Sequence, residues 1–121
     1  MQKLGVSLCI LLGLLAAGCG GAMGRAVHDF ESTRYPESLE ALQHMEHEAQ
    51  NFEPSARARY CLYRGLTHLA VGNARLAGRW LGRARQELGE DPSRLSGVDK
   101  SRLESAWRTM GLMPGDPVVT D

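Results

Sequence analysis

The sequence predicts an all-α domain, a small antiparallel bundle of about four helices with a helix-turn-helix hairpin at its centre. Three observations carry this. Apolar residues recur three and four apart in successive stretches between residues 35 and 111. Glycine and alanine are frequent, and β-branched residues are scarce outside the two ends, a balance that suits close-packed helices better than strands. Glycine, proline and asparagine fall between those stretches, where a helix has to stop.

The first helix is expected to begin near Tyr35-Pro36. Proline suits the first helical position, and Glu37 and Glu40 suit the positive end of the helix dipole. Leu39, Leu42, Met45 and Ala49 form its apolar stripe, and Asn51 to Pro54 is the break. The second helix should run from Ser55, as N-cap, to Val71. Its apolar residues Tyr60, Leu62, Tyr63, Leu66, Leu69 and Ala70 cover more than half the circumference, which predicts burial against two neighbours. Gly72-Asn73 ends it, glycine supplying the left-handed backbone of a C-cap.

The third helix is expected over Ala74 to Leu88, with Ala77, Trp80, Leu81, Ala84 and Leu88 on one face. A loop from Gly89 to Gly97 contains Pro92. The fourth helix spans about Asp99 to Met110, capped by Asp99 or by Ser101 with Glu104, and lined by Leu103, Ala106, Trp107 and Met110. Residues 112–121 read as a tail, and 19–34 as a linker to which Ala26 to Thr33 adds at most a turn or two of helix.

The N-terminus has a different character. Lys3 precedes an uncharged, mainly aliphatic run from Leu4 to Leu15, and small residues Ala16, Ala17 and Gly18 lead to Cys19. A positive start, an apolar run too short for a comfortable membrane span and small residues at a cleavage point make a secretory signal over residues 1–18. Leu15-Ala16-Ala17-Gly18-Cys19 resembles the lipobox of bacterial lipoproteins, with Ala16 in the place usually given to leucine. The resemblance implies cleavage before Cys19 and lipidation of its thiol. More than one acyl chain then holds the protein stably to a membrane without a transmembrane helix. Gly20, in place of aspartate after the cysteine, implies the outer membrane, facing the periplasm.

Cys61 to Ala84 carries a second resemblance, to one tetratricopeptide repeat. Gly65, Ala77 and Ala84 fall where its two helices cross, Leu81 holds the place of a larger aromatic residue, and Gly72-Asn73 sits at the turn. Cys61, Arg64 and His68 depart from the pattern, and Pro92 lies three residues beyond the expected closing proline. The match covers about a quarter of the chain and has no second copy thirty-four residues away. A single repeat does not bury its own faces, so the first and fourth helices must cover it. The resemblance implies a scaffold that binds peptides or proteins, without catalysis.

Formal net charge is zero, so nothing global argues for nucleic acid. The charge is nonetheless segregated. Asp29 to Glu53 is acidic apart from Arg34, whereas Pro54 to Arg85 holds seven arginines and no carboxylate. Arg75, Arg79 and Arg83 repeat every four residues as a basic ridge. Pairing of the acidic first helix with the basic second and third at their rim accounts for most of this pattern. A contact between the ridge and an acidic partner or lipid headgroups is the sharper alternative.

Of the three cysteines, Cys9 leaves with the signal and Cys19 carries lipid, so Cys61 is expected as a buried, unbridged thiol. His44, His47 and Glu48 do not have the zinc-protease order and read as a solvated face. No nucleophile elbow, phosphate loop or Cys-x-x-Cys pair occurs, and no cofactor or metal is expected.

The expected function is therefore that of a lipid-anchored accessory or assembly factor that docks an envelope protein, in its narrower form a pilotin. Tyr63, Arg64, His68, Arg75, Arg79 and Arg83 are the expected contacts. A tethered structural bundle without a client is the alternative, and an enzyme or metal protein ranks last.

Overall fold

The computed structural model describes residues 21–112. They are helical, with no strand among them. Helix α1 covers residues 21–31, α2 Tyr35–His44, α3 Glu46–Ala49, α4 Pro54–Ala70, α5 Ala74–Leu88 and α6 Gly97–Thr109, with a 3-10 turn at Pro92–Arg94 before α6. The expected signal peptide, Cys19 and most of the tail lie outside the described residues.

Helix α4 is the centre. Pro54 stands at its first position and no side chain caps it, so Ser55 is not the N-cap the sequence suggests. Every residue from Tyr60 to His68 is buried. A helix buried on all sides needs neighbours on all sides. Here α2 and α3, α5 and α6 all pack on it, and α1 reaches it through Phe30, whose ring meets Tyr63 edge-on at 5.5 Å.

Helix α1 corrects the linker expected at 19–34. Ala26 is fully buried, Val27 is 7% exposed, and the Ser38 hydroxyl donates to the Ala26 carbonyl at 2.7 Å. The α1–α2 turn passes through Thr33 at φ 62, a left-handed position where a β-branched residue is strained. The expected first helix is also divided. The Met45 amide bonds the Leu42 carbonyl at 3.1 Å, three residues back, and this tighter turn separates α2 from α3.

The α4–α5 hairpin follows the expected pattern. Gly72 takes φ 85, the Asn73 amide bonds the His68 carbonyl at 2.9 Å, and the Asn73 side chain accepts the Leu76 amide at 3.2 Å. Gly65 lies where the helices cross: a Cβ built there would meet Leu81 Cγ at 2.6 Å. Ala77 and Ala84 are fully buried in the same hairpin.

Helix α6 starts two residues earlier than expected. Ser96, in extended backbone, accepts the Asp99 amide at 3.1 Å, so neither Asp99 nor Ser101 is the cap. Leu103, Ala106 and Trp107 enter the core, and Leu95 closes the loop before them.

The directions of the helices follow from their contacts. Val27 shares a cleft with Arg59, and Phe30 meets Tyr63 further along, so α1 runs parallel to α4. Asp99 meets Arg59, and Thr109 shares a groove with Ala70, so α6 is parallel to α4 as well. The tight Gly72 turn makes α5 antiparallel to them.

Candidate docking surface

Two polar and aromatic clusters flank α4. The first joins α1, α4 and α6. Tyr63, 1% exposed, donates its hydroxyl to Asp99 Oδ1 at 2.7 Å and accepts from Arg102 Nη1 at 2.6 Å. Arg102 also reaches Glu31 at 2.9 Å, and Arg59 reaches Asp99 Oδ2 at 3.2 Å. Every polar end here meets a partner of complementary type, as a buried network requires. The network borders a cleft of about 390 Å³ that Arg94, Ser96 and Val98 also line.

The second cluster joins α3, α4 and α5. Arg64 Nη1 donates to the Tyr60 hydroxyl at 2.9 Å and to Glu46 at 3.4 Å, and its guanidinium lies 4.2 Å from the centre of the Trp80 ring. Arg83 stacks on the same ring at 4.7 Å, and Tyr60 meets Trp80 edge-on at 5.9 Å. The Tyr60 hydroxyl in turn donates to the Leu42 carbonyl at 2.8 Å. Beside these groups opens a cleft of about 300 Å³, lined among others by Arg57, Cys61 and Glu87. Tryptophan, tyrosine and arginine around one cleft are the side chains that contribute most where proteins bind one another.

The six expected contact residues separate into two groups. Tyr63, Arg64 and His68 are 1%, 6% and 3% exposed, so they are withdrawn from the surface and hold the fold together. Burial lowers the His68 imidazole's affinity for a proton, and the neighbouring Arg64 charge lowers it further. Arg75, Arg79 and Arg83 are exposed along α5. The ridge is therefore presented, and the face expected beside it on α4 is not.

Charge pairing is more distributed than a single acidic-to-basic rim. Glu46–Arg64 at 3.4 Å joins the acidic and basic segments. Arg57 instead meets Glu87 at 3.0 Å, and Arg59 meets Asp99. Only Arg57–Glu87 is partly exposed at both ends, and a pair of that kind contributes about 0–1 kcal/mol; Arg64 and Asp99 are buried.

Periodicity could not reveal Glu31, Tyr63 and the Asp99–Arg102 pair of α6 as one network, since α1, α4 and α6 are far apart in sequence. The Trp80–Arg83 stack was accessible, because residues three apart on a helix are neighbours.

His44, His47 and Glu48 are all exposed, on either side of the turn at Met45. Among the described residues no three His, Cys, Asp or Glu side chains stand close enough to share one metal ion.

Cys61 is 5% exposed and unbridged. Burial pushes its thiol up to about 11, with Glu87 adding to the effect against the arginines around it. Burial and the bond to Asp99 push Tyr63 up to about 12. In the unfolded chain the same groups ionise near 9.0 and 10.0. The unfolded chain therefore releases protons first as pH rises. The contribution of both groups is complete below pH 9.0 and is lost progressively toward about 12. Urea midpoints should accordingly fall between pH about 8 and pH about 11. Iodoacetamide should modify Cys61 slowly at neutral pH and rapidly once urea unfolds the chain.

No protein-family model matches the chain, and no curated protein or solved structure matches it.

Proposed function

We propose that the chain is a lipid-anchored docking module of a bacterial envelope, tethered through Cys19 and presenting the basic face of α5 to a protein partner. The observation that carries this reading is the lipobox-like Leu15-Ala16-Ala17-Gly18-Cys19, two residues before the first described residue, which is helical. Among the described residues no helix is long and apolar enough to cross a membrane, so attachment through them would need another means, and a lipid on Cys19 supplies it.

The packing supports the tetratricopeptide resemblance in one respect. Gly65 lets α5 approach α4 closely through Leu81, and α1 and α6 lie parallel to α4, α6 touching α5 as well. Such a hairpin, covered by helices before and after it, leaves the outer face of α5 available. That face carries Arg75, Arg79 and Arg83, and an acidic partner surface complements it.

Intact-mass analysis of the chain from the membrane fraction tests the tether. A chain beginning at Cys19 with added lipid mass is expected, and Cys19→Ser should abolish both the lipid and the membrane association. A photoreactive residue replacing Arg79 should cross-link a protein partner in intact envelopes. An unmodified chain, or a lipidated chain that captures no protein, would overturn the docking role; the second result would favour a bundle without a client. Normal secretin assembly without this protein would remove the pilotin form of the proposal.

A further inference from the structure

A groove of about 360 Å³ opens between the end of α5 and the length of α6. Its charged lining is Arg85, Lys100 and Arg108 against Glu104, two positive charges in excess. Lys100, Glu104 and Arg108 stand one turn apart on α6, where ion pairs could form. Among the described residues, none of these four side chains has an ion pair. Arg57, Arg59 and Arg64 of α4, by contrast, each hold a carboxylate.

Arg85 is the least satisfied of the groove's cations. Its guanidinium lies 4.5 Å from the centre of the Trp107 ring, and its Nη1 is buried with no acceptor. Stacking on an indole offsets part of the cost of desolvation but supplies no counter-charge. Trp107 is covered by Arg85 and 4% exposed, so it offers no wall to a ligand. The apolar lining open to one is Pro92, exposed, and Leu88, half-buried.

The spread of the charges decides what fits. Lys100 and Arg108 are eight residues apart, about 12 Å along the helix. One phosphate or carboxylate does not span that distance. Two acids four residues apart in an extended segment do, at ~3.3 Å per residue, and the residue midway between them shares their face. A flat membrane fits less well, because it would also meet Glu90 and Asp91, exposed beside Gly89 and Pro92.

We propose that the α5–α6 groove binds an extended acidic segment of a partner protein, with an apolar residue midway between two acids. One acid meets Lys100, the other meets Arg85 and Arg108, and the apolar residue lies against Leu88. The inference extends the docking reading from the outer face of α5 to the groove beside it, and rests on that reading only in that the ligand belongs to a protein.

The test uses the whole chain as purified from producing cells, with its two tryptophan indoles observed by ¹⁵N NMR and assigned through Trp80→Phe. The probe is a blocked heptapeptide, threonine-glutamate-threonine-leucine-threonine-glutamate-threonine. Beside it are used the same peptide with glutamine for glutamate, and glycerol phosphate as a single anion. The glutamate peptide should shift the Trp107 indole saturably and leave Trp80 in place. Glu104→Gln, an exposed change, should tighten binding by about two- to fivefold, and Lys100→Gln and Arg108→Gln should each weaken it by a similar factor. Arg25→Gln, which removes an exposed cation of α1, should leave the affinity unchanged. An equal shift with the glutamine peptide or with glycerol phosphate, no saturable shift at millimolar peptide, or an affinity as sensitive to Arg25 as to Lys100 would each overturn the proposal. Absence of lipid on Cys19, or of a cross-link at Arg79, bears on the docking reading alone and leaves this titration interpretable.

Discussion

Gly65→Ala lowers the melting temperature, and Gly65→Val lowers it further. The added Cβ would stand 2.6 Å from Leu81 Cγ, 2.7 Å from its Cδ2 and 3.0 Å from its backbone nitrogen. Rotation of Leu81 cannot clear all three, because one belongs to the backbone of α5, so the two central helices must move apart. Overpacking of this kind costs roughly 1–3 kcal/mol, more than the ~1 kcal/mol by which alanine exceeds glycine in a helix. Contacts as short as 2.6 Å belong to the upper part of that range, so we expect a net loss of about 1–2 kcal/mol for alanine and about 3 kcal/mol or more for valine. Each kcal/mol corresponds to roughly 4–8 °C in a domain of this size. Gly97→Ala is the control, since nothing lies within 4 Å of a Cβ at that position, and it should change the melting curve little. Thermal denaturation followed by circular dichroism decides the matter. A Gly65→Ala protein as stable as the parent would mean that the hairpin does not close as tightly as described.

Asp99→Ala should destabilise the fold by about 2–4 kcal/mol, combining a buried hydroxyl left without its acceptor with a broken ion pair. Asp99 accepts from both Tyr63 and Arg59. The two losses differ in kind. Tyr63 is 1% exposed, so water cannot replace the carboxylate there. The Arg59 side chain is 41% exposed, so water compensates most of that loss. Urea denaturation of the variant measures the sum. The tyrosinate absorbance of Asp99→Asn separates out the hydroxyl. The amide keeps an acceptor for the Tyr63 hydroxyl but removes the negative charge beside it, so its ionisation should then begin below its present value of about 12. An unchanged Tyr63 titration would place the cause in burial alone.

Much of this architecture was legible from local signals. Helix α5 has the bounds read from its apolar spacing, Ala74–Leu88, because one strongly amphipathic face between a Gly-Asn turn and a glycine leaves little ambiguity. Helix α1 lay in the stretch expected as a linker, although Ala22, Met23, Ala26, Val27 and Phe30 recur three and four apart and pack into the core. The turn after it passes through Thr33, which adopts the left-handed backbone without the glycine that would announce it. The caps of α4 and α6 were misplaced because serine, aspartate and proline compete for adjacent positions. Only the extended backbone at Ser96 selects that residue over Asp99.

The pattern of residues along the chain established the helical class and the central hairpin, which depend on local periodicity and turn residues, and the resemblance to a tetratricopeptide repeat implied the Gly65 crossing. It also placed the basic ridge on α5, because a four-residue repeat stays on one side of a helix. Burial of the charged and polar residues depended on chain that arrives from elsewhere. Arg64 looked like a surface contact until α3 and Trp80 closed over it, and Asp99 looked like a cap until Tyr63 and Arg59 turned toward it. A side chain's periodicity says which way it points from its own helix. What waits there, water or a second helix, is a property of the assembled core.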